Sequence, residues 1–159
     1  MDDTAILPSL GVSVTYDVDF HAWTLDQGRK LRNRRFDALD LPNLAEEIES
    51  MGRSEKRELA SRLAVLLTHL LKWAAQPARR GRSQTRTIRE QRRQIALVLN
   101  DNPSLRALLP DMVREAYEYS RLTAMDETRL EAAHFPPSCP WAWDQMRDYG
   151  FLPDPFDPR

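Results

Sequence analysis

The sequence predicts an all-α protein: a single-domain helical bundle around one long central helix (about 42–76), with a Pro/aromatic-rich C-terminal tail. Three observations carry that expectation. Between Leu44 and Trp73 the residues Leu44, Ile48, Met51, Glu55, Leu59, Leu63, Leu66, Leu70 and Trp73 recur at three- and four-residue steps, the period of one helix face, and only Glu55 breaks the apolar run. Only five glycines occur, and few runs are rich in β-branched residues, which argues against a sheet. Each remaining periodic stretch is bounded by a capping residue or a proline. No internal repeat is visible.

Composition bounds the function classes. A chain of 159 residues is long enough to bury a core and fits one helical domain over 1–159. Its net charge of −1 gives no global case for nucleic acid or a membrane surface. The apolar run 59–75 contains Arg62, His69 and Lys72, too interrupted for a membrane span. One cysteine, Cys139, excludes an internal disulfide and, with no signal-peptide pattern in residues 1–15, fits the cytoplasm.

Residues 1–15 read as an irregular leader. In YDVDFHAWTLDQGRKLRNRRF, Asp17 or Asp19 can cap a helix whose apolar face is Phe20, Trp23, Gln27 and Leu31. Acids lie at its front: the first 26 residues hold five acids and no Lys or Arg. Five basic residues follow within 29–35, the order the helix dipole favours. The long helix starts with Asp40 as N-cap and Pro42 in the first turn, and runs about 50 Å at 1.5 Å per residue. Gly52 is the expected bend or break.

Pro77 stops that helix and Gly81 allows a reversal, after which Ser83 is the expected cap of SQTRTIREQRRQIALVLN. Its stripe is Thr87, Ile88, Gln91, Ile95, Val98 and Leu99. Asn102 and Pro103 open a short helix, and Pro110 starts another that buries Met112, Val113, Ala116, Tyr117, Ser120 and Ala124 and reaches about Thr128. A short helix over Pro140–Arg147 and an extended tail over 148–159, laid on the bundle, complete the chain.

The strings YDVDFHAW, RRFDALDLPNLAEEIESMGRSEKREL, LLTHLLKWAAQP, TIREQRRQI, NPSLR and FPPSCPW, in this order, resemble the bacterial domain-of-unknown-function 29 family over about residues 16–153. The resemblance implies a small, α-helical, bacterial, intracellular protein and carries no catalytic residue with it. Gln84 departs from the family pattern, which has tryptophan after the serine equivalent to Ser83.

Four constellations can carry chemistry. Between Lys72 and Arg93 there are eight basic residues and one acid. Arg79, Arg80, Arg82, Arg86, Arg89 and Arg93 are candidates for nucleic acid or an acidic partner, since each guanidinium offers a fork of donors. The bland alternative is a solvated face paired with acids of the long helix, Glu115 and Glu118. Glu46, Glu47 and Glu49, together with His69, form a possible polar site for metal-dependent hydrolysis. Dipole complement and a Glu49–Arg53 pair explain the glutamates as well, and His69 reads more simply as a core histidine bonded to a neighbouring helix. Glu131 and His134 have the E-x-x-H spacing of di-iron bundles, but no second pair exists. Cys139 can cap the last helix or react, but has no histidine at a nucleophile–base spacing.

No H-E-x-x-H, Walker loop, dinucleotide glycine fingerprint or C-x-x-C pair is present. The leading expectation is therefore a non-enzymatic protein-interaction or assembly module. It needs no cofactor or metal, and it docks a protein partner or itself through exposed apolar or aromatic residues; Trp141, Trp143, Tyr149 and Phe151 are candidates, although packing against the protein's own helices is the more frequent role of such residues. The alternatives are nucleic-acid association through the arginine helix 79–93 and the metal-dependent hydrolase.

Overall fold

A computed structural model describes residues 14–156. Among these the chain is all-α, as expected, with no strand. The helices are α1 (Phe20–Arg32), α2 (Leu41–Ala75), α3 (Arg82–Asp101), α4 (Leu109–Thr128) and α5 (Trp143–Arg147), joined in part by short 3-10 turns. The leader expected over 1–15 lies outside the described residues except for Val14 and Thr15. The chain divides into two compact units, Met1–Met51 and Gly52–Arg159. The boundary falls inside α2, beside the glycine where a bend or break was expected. The helix nevertheless runs through Gly52 without interruption. A Cβ at that position would meet nothing within 4 Å, so Gly52 is an exposed helical glycine and no packing demand explains it.

In the first unit, Asp19 caps α1 by accepting the Ala22 N–H at 2.9 Å. The helix ends with Arg34 in the left-handed region (φ 56°), where the N–H groups of Arg34 and Arg35 return to the carbonyls of Leu31 and Lys30. The first turn of α2 is held by Asp40, whose backbone carbonyl accepts the Leu44 N–H and whose carboxylate accepts from the Asn43 side chain at 2.8 Å. That carboxylate also accepts from Trp23 Nε1 at 3.1 Å, while the Asp40 N–H donates to Gln27 Oε1 at 2.8 Å. Tyr16, which precedes α1, donates to Glu47 further along α2. These pairings run in opposite directions along the two helices, so α1 and the start of α2 form an antiparallel hairpin.

The second unit holds the larger core. From Leu59 to Ala74, α2 buries Leu59, Leu63, Leu66, Leu67, Leu70 and Leu71, covered by α3, α4 and the residues after them. Each such leucine contributes about 1.5–3 kcal/mol, which accounts for a helix apolar on nearly every side. Helices α2 and α4 approach closely enough for Ser120 Oγ to donate to the Ala64 carbonyl at 2.8 Å. The buried stripe of α3 is as expected except that Thr87 is only half-buried and Arg92 is added, and α4 ends at Thr128 as expected. Two boundaries differ by two residues or more. Helix α3 begins at Arg82, because the carbonyl of extended Gly81 accepts from Gln84 and Thr85, so Ser83 lies in the first turn and does not cap it. Helix α5 begins only at Trp143, where Gln145 Oε1 accepts the Ala142 N–H, because Pro140 and Trp141 remain irregular. The tail lies on the second unit as expected, the Phe156 N–H donating to the Ala74 carbonyl at 3.1 Å.

Candidate functional site

The first unit buries only Trp23 and Gln27 among its described residues. Trp23 sits in a small aromatic cluster, with Tyr16 edge-on at 5.0 Å and Phe20 stacked at 5.8 Å between ring centroids. Most of the remaining large apolar side chains stay open. On α2, Leu41, Leu44, Ile48 and Met51 follow at steps of three, four and three and so share one face. Leu41, Ile48 and Met51 are 62%, 67% and 70% exposed, and Leu44 is half-buried. Phe20, Leu25 and Phe36 are exposed as well. A stripe that patterns as core but stays in solvent is the strongest functional signal in this unit. The periodicity was legible in the sequence; its exposure was not.

The hairpin also carries its charges unevenly, although exposed Asp37 and half-buried Asp40 lie at the more basic end. Asp17 and Asp19 lie exposed before α1, at the end where Tyr16 meets Glu47. Arg32, Arg34 and Arg35 lie exposed at the end that turns into α2. Among the described residues none of these three arginines forms an ion pair. Asp26 is satisfied locally by Lys30 at 2.6 Å and Arg29 at 2.9 Å, and these cations hold its carboxyl below the usual range.

The three glutamates separate in role. Glu47 accepts the Tyr16 hydroxyl at 2.5 Å, which pushes the phenol pKa up. Glu46, Glu49 and Arg53 are engaged in interactions of their own. His69 lies in the other unit, on the wall of a groove of about 680 Å³ between α2 and α4. Ala60, Ala64 and Ala116 line that groove, with Lys56, Glu115 and Glu127 also among its walls. The core histidine expected to be bonded on both nitrogens is not found: His69 is half-buried, and its buried Nδ1 has no partner among the described residues. Burial, and then the nearby Lys72 cation, hold its pKa down, opposed by Glu127, which accepts from Lys72 at 2.5 Å. Among the described residues no group of three or more His, Cys, Asp or Glu side chains is placed to hold a metal ion.

The arginine block also separates. Arg80 lies over the Trp73 ring at 5.0 Å and donates to the Trp73 carbonyl at 2.9 Å, so it anchors the turn after α2. Arg93 pairs with Glu90 of its own helix at 2.9 Å, and that contact and Gln94 lower the Glu90 pKa to about 2. Arg79, Arg82, Arg86 and Arg89 are exposed and form no ion pair among the described residues. Among the described residues none of these four arginines pairs with an acid of the long helix, Glu115 or Glu118.

Arg92, which sequence reasoning missed, is buried and donates to the carbonyls of Met146 at 2.7 Å and Phe151 at 2.8 Å. Its signal was available: it falls between Ile88 and Ile95 on the apolar side of α3, unlike its neighbours Arg89 and Arg93. Trp141 and Trp143 pack against the core, Trp141 also stacking on Phe156, which is the more frequent role expected of them and leaves neither as an open contact surface. Of the four C-terminal aromatics, Tyr149 is exposed and Phe151 is half-buried. The Cys139 thiol reaches the Trp141 carbonyl at 3.6 Å, and burial pushes its pKa up, the reverse of nucleophile activation.

No helix among the described residues is long and apolar enough to cross a membrane. No curated protein and no solved structure matches the chain. A family model described as Domain of unknown function DUF29 matches residues 15–152, most of the chain; the protein belongs to that family.

Proposed function

We propose that this protein is a non-enzymatic protein-interaction module and that the open face of the N-terminal hairpin is its binding surface. One observation carries the reading. A unit whose described residues bury only Trp23 and Gln27 leaves Leu41, Ile48 and Met51 in water on one helix face. Such a face gains its stabilisation when a partner removes it from solvent, at about 25 cal/mol per Å² of apolar surface. The single free cysteine fits a reducing cytoplasm. The test is site-specific photo-crosslinking of the full chain in its native host, with the reactive group at position 48 or 51 and a control at Glu118. Protein adducts from 48 and 51 beyond the control are expected. Their absence at both positions refutes the reading.

A second reading, nucleic-acid association, is favoured by Arg82, Arg86 and Arg89, exposed at steps of four and three along α3. No aromatic platform stands beside them in the sequence, which weighs against single strands. A salt titration of binding to duplex and single-stranded DNA and RNA decides it. The reading fails if there is no binding at low salt, or if binding persists unchanged in the Arg86→Ala/Arg89→Ala variant.

A further inference from the structure

We infer that the partner on the hairpin face is a second copy of this chain, docked antiparallel about a two-fold axis. In that arrangement Leu41, Leu44, Ile48 and Met51 of each copy meet those of the other, and the Arg34/Arg35 end of one hairpin lies against the Asp17 end of its mate. The inference rests on the protein-binding reading of the same face and names its partner.

Two features select a second copy. The first is charge. Within the hairpin, α1 runs antiparallel to the start of α2, so Asp17 and Asp19 stand at one end and Arg32, Arg34 and Arg35 at the other. A two-fold axis across α2 reverses the mate and sets each acidic end beside a basic one, twice per dimer. Parallel docking would instead place like charges together, at a cost. Helix electrostatics account for acids before α1 and bases in its last turn. They do not account for Arg34 and Arg35, which lie beyond the helix and, among the described residues, are without an ion pair.

The second feature is coverage. Residues 14–51 span only one hairpin, and its described residues bury one large apolar side chain, Trp23. Two-helix units of this size are generally completed by association, because their own surface cannot be covered. Two hairpins paired face to face make a four-helix arrangement in which the α2 stripe becomes a common seam, and the isologous symmetry makes the stripe complementary to itself.

The charge argument gives a test that other partners fail. Sedimentation equilibrium of the full chain should show a dimer that weakens as salt is raised. Ile48→Glu/Met51→Glu, at two exposed positions, should raise the dimer Kd at least a hundredfold with unchanged far-UV circular dichroism. Arg34→Glu/Arg35→Glu makes both ends acidic, and Asp17→Arg weakens the acidic end; each variant alone should dimerise at least tenfold more weakly than wild type. Mixed together, the two set opposite charges against each other at one end and relieve the like-charge contact at the other, so a heterodimer should form more tightly than either homodimer. A wild-type chain that stays monomeric up to millimolar concentration overturns the proposal. So does a dimer indifferent to Ile48→Glu/Met51→Glu, or a mixture in which the charge variants show no preference for each other. Protein crosslinks from positions 48 and 51 on a strictly monomeric chain would overturn self-pairing while leaving the protein-binding reading intact.

Discussion

Arg92 offers the sharpest check on how the second unit is held together. Its side chain is 3% exposed; its two hydrogen bonds, at 2.7 and 2.8 Å, go to the carbonyls of Met146 and Phe151, and the Asp148 carboxylate stands near enough to favour its charge without a hydrogen bond. It therefore ties the segment after α5 to the inner side of α3. The substitution Arg92→Met keeps an unbranched apolar side chain and removes both donors. Hydrogen bonds to a charged donor contribute about 1.5–3 kcal/mol each, and a carbonyl left buried without a partner costs about 1–3 kcal/mol. Against this stands the cost of burying a guanidinium, which methionine escapes. The net loss should be about 3 kcal/mol, a fall in Tm of roughly 6–12 °C for a chain of this size. Urea denaturation followed by circular dichroism measures the stability. Limited proteolysis between 147 and 156 should show earlier cleavage, because the segment loses its anchor. A variant within about 0.5 kcal/mol of wild type, with unchanged proteolysis, would refute the anchoring role; that threshold is the usual scatter of surface substitutions.

Other outcomes follow from single residues. Gly52→Ala adds a Cβ that meets nothing within 4 Å, in a continuous exposed helix, so it should stabilise by about 0.5–1 kcal/mol in chemical denaturation; a loss of stability would mean that the glycine answers a close approach absent from the isolated chain. His69 has a folded pKa below its ordinary value, so the unfolded chain binds more protons. Stability should therefore fall as pH drops through about 6.5 and level off below the folded pKa, and His69→Gln should flatten that slope. The whole chain is proposed to unfold as one domain, since α2 is continuous and the hairpin's own buried set is too small to stand alone. Urea curves from circular dichroism and from tryptophan fluorescence should then coincide, whereas two separated transitions would show independent units.

The helices were legible in the sequence because each rests on local chemistry. Asp19 and Asp40 cap, Pro42 and Pro110 sit in first turns, and the stripes of α2, α3 and α4 repeat at helical period. The exceptions have local causes too: Gly81 took the place of Ser83 at the start of α3, and Pro140 delayed α5. Where each stripe goes is a different matter. The same three- and four-residue pattern runs along α2 from Leu44 to Trp73, yet Leu63 and Leu66 are fully buried while Ile48 and Met51 are in water. Periodicity states which residues share a face; only the other helices decide whether that face is covered. The arginines teach the same lesson. Six looked alike as a row of cations, but Arg80 is held by Trp73 and Arg93 by Glu90, while Arg92, set aside as one more charge, is buried because Met146 and Phe151 turn their carbonyls towards it. By itself the sequence determined the helices, their faces and the family, since caps, periods and strings are local. The tertiary structure alone decided which apolar face stays open and which charges are already satisfied, because burial and pairing depend on residues far apart in the chain.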